Sequence, residues 1–181
     1  MKVIGIIGPK AAGKETVAKY LHRKLGGAVY THSQILDQVL DVLKIPKTRD
    51  NEIKLVNLRK IFGPRVLPDA LNKKIRDDAP KYAFVTGIRF TSEYENIRSF
   101  EKNKIIYVDA PMEARYQRHL ERKEKADDSS ISFVKFSEME NAETEIYIRE
   151  LGVQADFRID NSGLLEDLYK KIDNIIEEIC R

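Results

Sequence analysis

The 181 residues suffice for one domain, 1–181, with room for a small inserted lid. The composition, 42% hydrophobic and 34% charged, is that of a soluble globular protein, and 32 basic against 29 acidic residues leave a net charge of only +3, which calls for neither nucleic acid nor an anionic membrane. The one cysteine, Cys180, rules out an internal disulfide, no apolar run approaches membrane-spanning length, and Met1 leads at once into a strand pattern without a signal peptide, so the expected location is the cytoplasm.

Val3 to Ile7 is an apolar run long enough for one buried strand and too short for a helix. Gly8-x-x-x-x-Gly13-Lys14 follows, and Thr16-Val-Ala-Lys-Tyr-Leu21 opens a helical pattern. Strand, glycine-rich loop, lysine and helix in that order form a phosphate-binding loop. Glycines let backbone N–H groups close on phosphate oxygens, the lysine reaches the terminal phosphates, and the helix N-terminus adds unpaired donors. The residues expected against a triphosphate are Gly8, Lys10, Ala11, Ala12, Gly13, Lys14, Glu15 and Thr16. A Ser or Thr is usual directly after the lysine, where its hydroxyl ligates Mg²⁺. Glu15 stands there instead, with Thr16 one place later, so these two residues are the candidate metal ligands. Glu15 also reads simply as an acidic first-turn residue favoured by the helix dipole.

Helix one spans about Lys14 to Leu25, with Val17, Leu21 and Leu25 on one face, and Gly26-Gly27 ends it. Ala28 to Thr31 is a short strand, with His32-Ser33 at its carboxyl end, where open α/β sheets place ligands. Leu36, Val39, Leu40 and Leu43 make a second helix, broken at Ile45-Pro46. From Arg49 to Asp78 the pattern predicts two helices separated at Gly63-Pro64, the first served by Leu55, Leu58, Ile61 and Phe62, the second by Val66, Ala70, Leu71 and Ile75. That is more chain than a simple crossover between parallel strands needs.

Tyr82 to Thr86 is a third strand, Gly87-Ile-Arg89 the turn after it, and Glu93 to Lys102 a helix. Lys104 to Val108 is a fourth strand. Asp109-Ala-Pro111 looks like a helix start, with Asp109 a plausible cap. The helix from Met112 to Lys125 carries Arg115, Arg118 and Arg122 along one face, which serves either phosphate recognition or a solvated basic surface neutralised by Glu113, Glu121 and Glu124. Residues 126–130 form a polar break, and the segment from about Glu124 to Ser132 is expected to be a mobile lid. Ser132 to Glu150 reads as one acidic helix with a solvated face. Ala155 to Ile159 is the last strand, and Leu165, Leu168, Ile172, Ile175, Ile176 and Ile179 stripe the final helix. Strands alternating with helices predict a parallel sheet covered on both faces. His22, His32 and His119 lack metal-ligand spacing.

These landmarks together resemble a P-loop nucleotide kinase of the nucleoside and deoxynucleoside monophosphate kinase and dephospho-CoA kinase-like group, adenylate-kinase-like in architecture. The loop's Gly-Lys-x-Thr ending is similar to theirs, as are the runs Pro46-x-Thr-Arg-x-Asn51, Leu58-Arg59 and Phe62-Gly63. The resemblance implies a three-layer α/β fold of about five parallel strands, an acceptor-binding helical insert over about 33–80, and a lid over about 122–150. It implies ATP with Mg²⁺, and a small phosphorylated acceptor as the second substrate. It further implies that Arg89 grips the acceptor phosphate, with Ser33 on the same side. Arg118 would lie against adenine or phosphates, and Arg122 would enter the lid to meet the transferring phosphoryl group. Asn161 to Gly163 would flank adenine. Lys14, Arg118 and Arg122 would then be the catalytic cations. One departure concerns the metal: the family carries an Asp at the end of strand three, where this chain has Thr86.

Three functions follow as expectations. The leading one is ATP-dependent phosphorylation of a nucleoside or deoxynucleoside monophosphate. The others are a dephospho-CoA kinase-like enzyme and a nucleotide-binding regulatory protein with weak turnover, the last favoured by Thr86. A GTPase is disfavoured because no Asn-Lys-x-Asp motif occurs.

Overall fold

The computed structural model describes residues 1–122, 131–139 and 143–180, with the side chains of Arg49, Arg122 and residues 143–146 also outside the description. Five parallel strands form one sheet in the order β2-β3-β1-β4-β5: β1 (Lys2–Ile7), β2 (Ala28–Thr31), β3 (Tyr82–Thr86), β4 (Asn103–Asp109) and β5 (Phe157–Asp160). The chain lays β2 and β3 on one side of β1, then crosses to β4 and β5 on the other. Ligand crevices of open parallel sheets lie where the direction of winding reverses, above the carboxyl ends. That point here is the end of β1.

Period-two alternation sends side chains to two cores. On one face Val3, Ile7, Val85, Ile105 and Tyr107 pack with Leu36 of α2 (His32–Val42), Leu71 and Ile75 of α5 (Val66–Asp78), Ile97 of α6 (Thr91–Arg98), and Ile148 and Leu151 of α9 (Glu143–Val153). On the other, Ile4, Ile6, Phe84, Ile106 and Val108 meet Val17 and Leu21 of α1 (Lys14–Leu25) and Leu168, Ile172 and Ile179 of α10 (Leu165–Cys180). Leu168, Ile172, Ile175 and Ile179 of the predicted stripe are thus the packing face of the last helix, while Leu165 at its start is exposed. A helix on each side of one sheet is what the alternation of strand and helix patterns requires.

Five expectations change. The segment before β3 holds three helices, α3 (Arg49–Val56), α4 (Leu58–Phe62) and α5, because hydrogen bonding tightens to the i→i−3 type at Asn57. Ile61 and Phe62 do not serve a core; they are 71% and 68% exposed. The helix after the Arg89 turn ends at Arg98, leaving Phe100 free to bury itself against the sheet. Asp109 does not cap the next helix: α7 (Met112–Arg122) makes its first bond from Arg115 N–H to the Pro111 carbonyl, and the Asp109 carboxylate accepts from Ala110 N–H, two residues too early. The acidic stretch is described as α8 (Phe133–Met139) and α9, each with an inward side, since Phe136, Ile148 and Leu151 are buried. Of the expected mobile lid, residues 124–130 lie outside the described residues, as do 123–130 and 140–142 of the wider lid region 122–150.

Among the described residues no helix is long and apolar enough to cross a membrane.

Candidate functional site

The loop between β1 and α1 is shaped by what its backbone must avoid. A Cβ on Gly8, at φ 150°, would fall 2.0 Å from the Val108 carbonyl oxygen, so the loop passes directly against β4. Ala11 takes φ 59°, a left-handed conformation that costs a non-glycine residue roughly 1–2 kcal/mol. Such local strain is retained where the surroundings over-determine it, and binding sites are the usual place. Gly13, at φ 103°, precedes α1 and receives its first helical bond, from Val17 N–H at 3.0 Å. The Lys14 ammonium, 9% exposed, donates to the Pro9 carbonyl at 2.8 Å, folding its side chain back over the loop. The first-turn amides of α1 have no intrahelical acceptors, and the positive end of the helix dipole lies with them. A looped backbone, an ammonium and the positive end of a helix dipole make an anion cradle.

Two side chains from other elements grip this loop from outside. Arg115 of α7, 3% exposed, donates through Nε to the Ala110 carbonyl at 2.9 Å and through Nη1 to the Lys10 carbonyl at 3.3 Å. Asn161, just past β5 and 7% exposed, donates through Nδ2 to the Ala12 carbonyl at 2.8 Å. Arg118 Nη2 in turn donates to the Asn161 carbonyl at 2.7 Å, while its Nη1 is buried without a hydrogen-bond partner among the described residues. The two arginines therefore do not form a solvated basic face; both turn inward from one side of α7.

The opposite half of the crevice lies over β2 and β3, where Thr31 and Thr86 are register partners. Thr31 caps α2, accepting from Gln34 N–H at 3.2 Å, and its hydroxyl lies 2.8 Å from that of Ser33. Glu93, 4% exposed, accepts from the Arg89 and Phe90 N–H groups at 2.7 and 3.2 Å, which fixes the turn after β3. The Arg59 guanidinium stacks 3.4 Å from the Phe90 ring centroid. His32 is buried nearby with Nδ1 unpartnered. Burial holds its imidazole below the ordinary 6.5; the Glu93 charge and a Gly87 backbone hydrogen bond pull it up, and Arg59 pushes it down.

Of the residues expected from sequence, the structure gathers Gly8, Lys10, Ala11, Ala12, Gly13, Lys14, Glu15 and Thr16 in one loop and helix start, with Arg118 and Asn161 beside it. Ser33 and Arg89 stand apart over β2 and β3, on the other half of the crevice. Gly163 is exposed in the turn before α10. The side chain of Arg122 lies outside the described residues. Sequence reading assigned no role to Arg115, His32, Glu93 or Arg59. A signal existed for Glu93, four residues after Arg89 and three after Phe90 and so well placed to cap that turn; for the others the pattern offered a place (a strand end, an arginine face, a family-like run) but no contact.

Among the described residues no group of three or more His, Cys, Asp or Glu is placed to hold a metal ion. Thr16 and Glu15, in the first turn of α1, offer one hydroxyl and one carboxylate. Mg²⁺ prefers hard oxygen ligands, keeps several waters, and completes its shell on substrate phosphates more often than in a protein cage. That donor set fits a phosphate-borne Mg²⁺. Thr86, 2% exposed, adds no carboxylate.

A parallel sheet of this order, with a glycine-rich anion loop between β1 and α1, defines a P-loop kinase-like fold. No family model matches the chain. A UPF0200/UPF0201 protein of Archaeoglobus fulgidus is 28% identical across the whole chain, which spans 57% of that relative's length. A dephospho-CoA kinase of Aquifex aeolicus is 26% identical, with 100% of this chain and 99% of that one aligned. Among solved structures, shikimate kinase from Bacteroides thetaiotaomicron superposes with a TM-score of 0.71 at 14% identity, covering 99% of each chain.

Proposed function

We propose that this protein transfers a phosphoryl group from ATP to a small phosphorylated acceptor, a nucleoside or deoxynucleoside monophosphate or dephospho-CoA. The observation that carries this reading is the pairing of Lys14 inside the anion loop with Arg118 beside it, its Nη1 buried and without a hydrogen-bond partner among the described residues. Phosphoryl transfer asks little covalent help of a protein; it asks for alignment and for neutralisation of charge spread over the phosphoryl oxygens. Lys14 exchanges its bond to Pro9 for the terminal phosphates. Arg118 supplies a planar, directional cation to the same oxygens. Thr16 and Glu15 are the residues that would hold a phosphate-borne Mg²⁺, which would supply further neutralisation of the phosphate charge.

Arg89 binds the phosphate of the acceptor, on a turn whose backbone Glu93 holds in place. Ser33 and the half-crevice over β2 and β3 complete that side. A phosphorylated acceptor suits both leading expectations, and the full-length likeness to a dephospho-CoA kinase favours keeping dephospho-CoA beside the monophosphates. Asn161 and Gly163 border the nucleotide base.

The test is a Mg²⁺-dependent ADP-release screen over nucleoside monophosphates, deoxynucleoside monophosphates and dephospho-CoA. Turnover with one acceptor class well above ATP hydrolysis alone is the expected result. Thr86 favours a second reading, a regulatory nucleotide-binding protein with little turnover. Tight ATP binding without ADP release from any acceptor would select it.

A further inference from the structure

We infer that Arg115 and Asn161 are positioning residues for the phosphate loop: by holding the Lys10 and Ala12 carbonyls outward, they turn the N–H groups of Ala11 and Gly13 toward the bound phosphates. The inference rests on the nucleotide-binding reading above and assigns Arg115 a role that the arginine spacing of α7 did not suggest.

The geometry follows from the peptide bond. In a planar trans peptide, the carbonyl of one residue and the N–H of the next point in opposite directions. The Lys10 carbonyl is bound by Arg115 Nη1 and the Ala12 carbonyl by Asn161 Nδ2. The N–H groups of those two peptides belong to Ala11 and Gly13, and they face the other way. Without these donors, each peptide could turn over and present a carbonyl oxygen to an anion, which repels it.

Both anchors are rigid. Arg115 is 3% exposed and also donates to Ala110, the residue after β4, so its guanidinium ties the loop to the end of that strand. Asn161 is held through its own N–H, which donates to the Asp109 carbonyl at 2.7 Å, and through its carbonyl, which accepts from Arg118. The positive φ of Ala11 marks the peptide between the anchors as one held against its preference. Two elements far apart in sequence, α7 and the end of β5, thus set the direction of a loop that glycines alone would leave free.

The experiment titrates ADP and inorganic tripolyphosphate, in Mg²⁺ buffer, into wild type, Arg115→Met, Arg115→Lys and Asn161→Ala by calorimetry. Thermal melts without ligand run alongside. Arg115→Met and Asn161→Ala should each weaken both ligands about tenfold, the scale of one lost charge-assisted or buried hydrogen bond. Arg115→Lys should recover part of the loss, since an ammonium still donates one bond to a carbonyl. Tripolyphosphate touches only the cradle, so an equal loss for both ligands places the effect at the loop. Should Arg115→Met fail to fold, Asn161→Ala and Arg115→Lys decide the matter. Folded variants that bind tripolyphosphate like wild type, with lowered melting temperatures alone, would overturn the inference. So would a loss confined to ADP, which would limit Asn161 to its contact with the base and leave it no part in orienting the loop. Wild type that binds neither ligand would remove the nucleotide reading and this inference together; wild type that binds both, with variants equal to it, removes only this one.

Discussion

Gly13→Ala is the sharpest perturbation available at the loop, because its cost divides into two parts that can be measured separately. Gly13 adopts φ 103°, and an added Cβ would lie 2.4 Å from Asn161 Nδ2. The backbone part, an L-residue forced into that conformation, costs about 1–2 kcal/mol. The side-chain part requires Asn161 to swing away, which breaks its 2.8 Å bond to the Ala12 carbonyl and leaves a buried acceptor unsatisfied. That adds about 1–3 kcal/mol. The total, about 2–5 kcal/mol, is a large share of the roughly 5–15 kcal/mol by which a domain is stable. Urea denaturation of wild type, Gly13→Ala, Asn161→Ala and the double variant forms a cycle. With Asn161 already truncated the clash disappears, so Gly13→Ala should then cost only the backbone part. The coupling should be about 1–3 kcal/mol. Equal costs in both backgrounds, within about 0.5 kcal/mol, would refute the claim that Asn161 packs on the loop at this point.

Lys14→Met should leave the fold intact and weaken a fluorescent ATP analogue about a hundredfold, a loss of about 2.7 kcal/mol, near the upper end for a charge-assisted bond; unchanged affinity would count heavily against the anion cradle. Arg89→Ala should raise the acceptor KM about tenfold with donor affinity unchanged, because the turn's backbone remains held by Glu93 while one phosphate contact is lost. Loss of ATP binding in that variant would put Arg89 on the wrong half of the crevice. His32 predicts a pH effect. Its folded-state value lies below the ordinary 6.5, with burial the main cause, so the unfolded chain takes up the proton first. Stability should fall as pH drops below about 6.5 toward the folded value, and His32→Asn should flatten that slope in urea midpoints measured from pH 7.5 to 5. A steeper slope in the variant would mean that His32 is charged in the native state.

The sequence alone was enough for the parts whose cause is local. Val3 to Ile7, the glycines at 8 and 13, Lys14, and the Leu165 to Ile179 stripe each announce themselves through period, composition or spacing, and each appears where expected. The succession of strands and helices along the chain and the anion loop were therefore legible before any coordinates. Boundaries set by hydrogen bonding were less so: the turn at Asn57 split one expected helix in two, and the cap assigned to Asp109 fell two residues short of α7. What only the tertiary structure decided is which side chains meet across the fold. Arg115 is 105 residues from Lys10, and Asn161 is 149 residues from Ala12. No periodicity encodes such pairs, because they exist only once β4 and β5 have docked beside β1 and brought α7 and the end of β5 against the loop. The same holds for burial: the arginines of α7 have identical chemistry in sequence, and only packing against Phe136, Ala110 and the loop distinguishes the buried Arg115 from a surface charge.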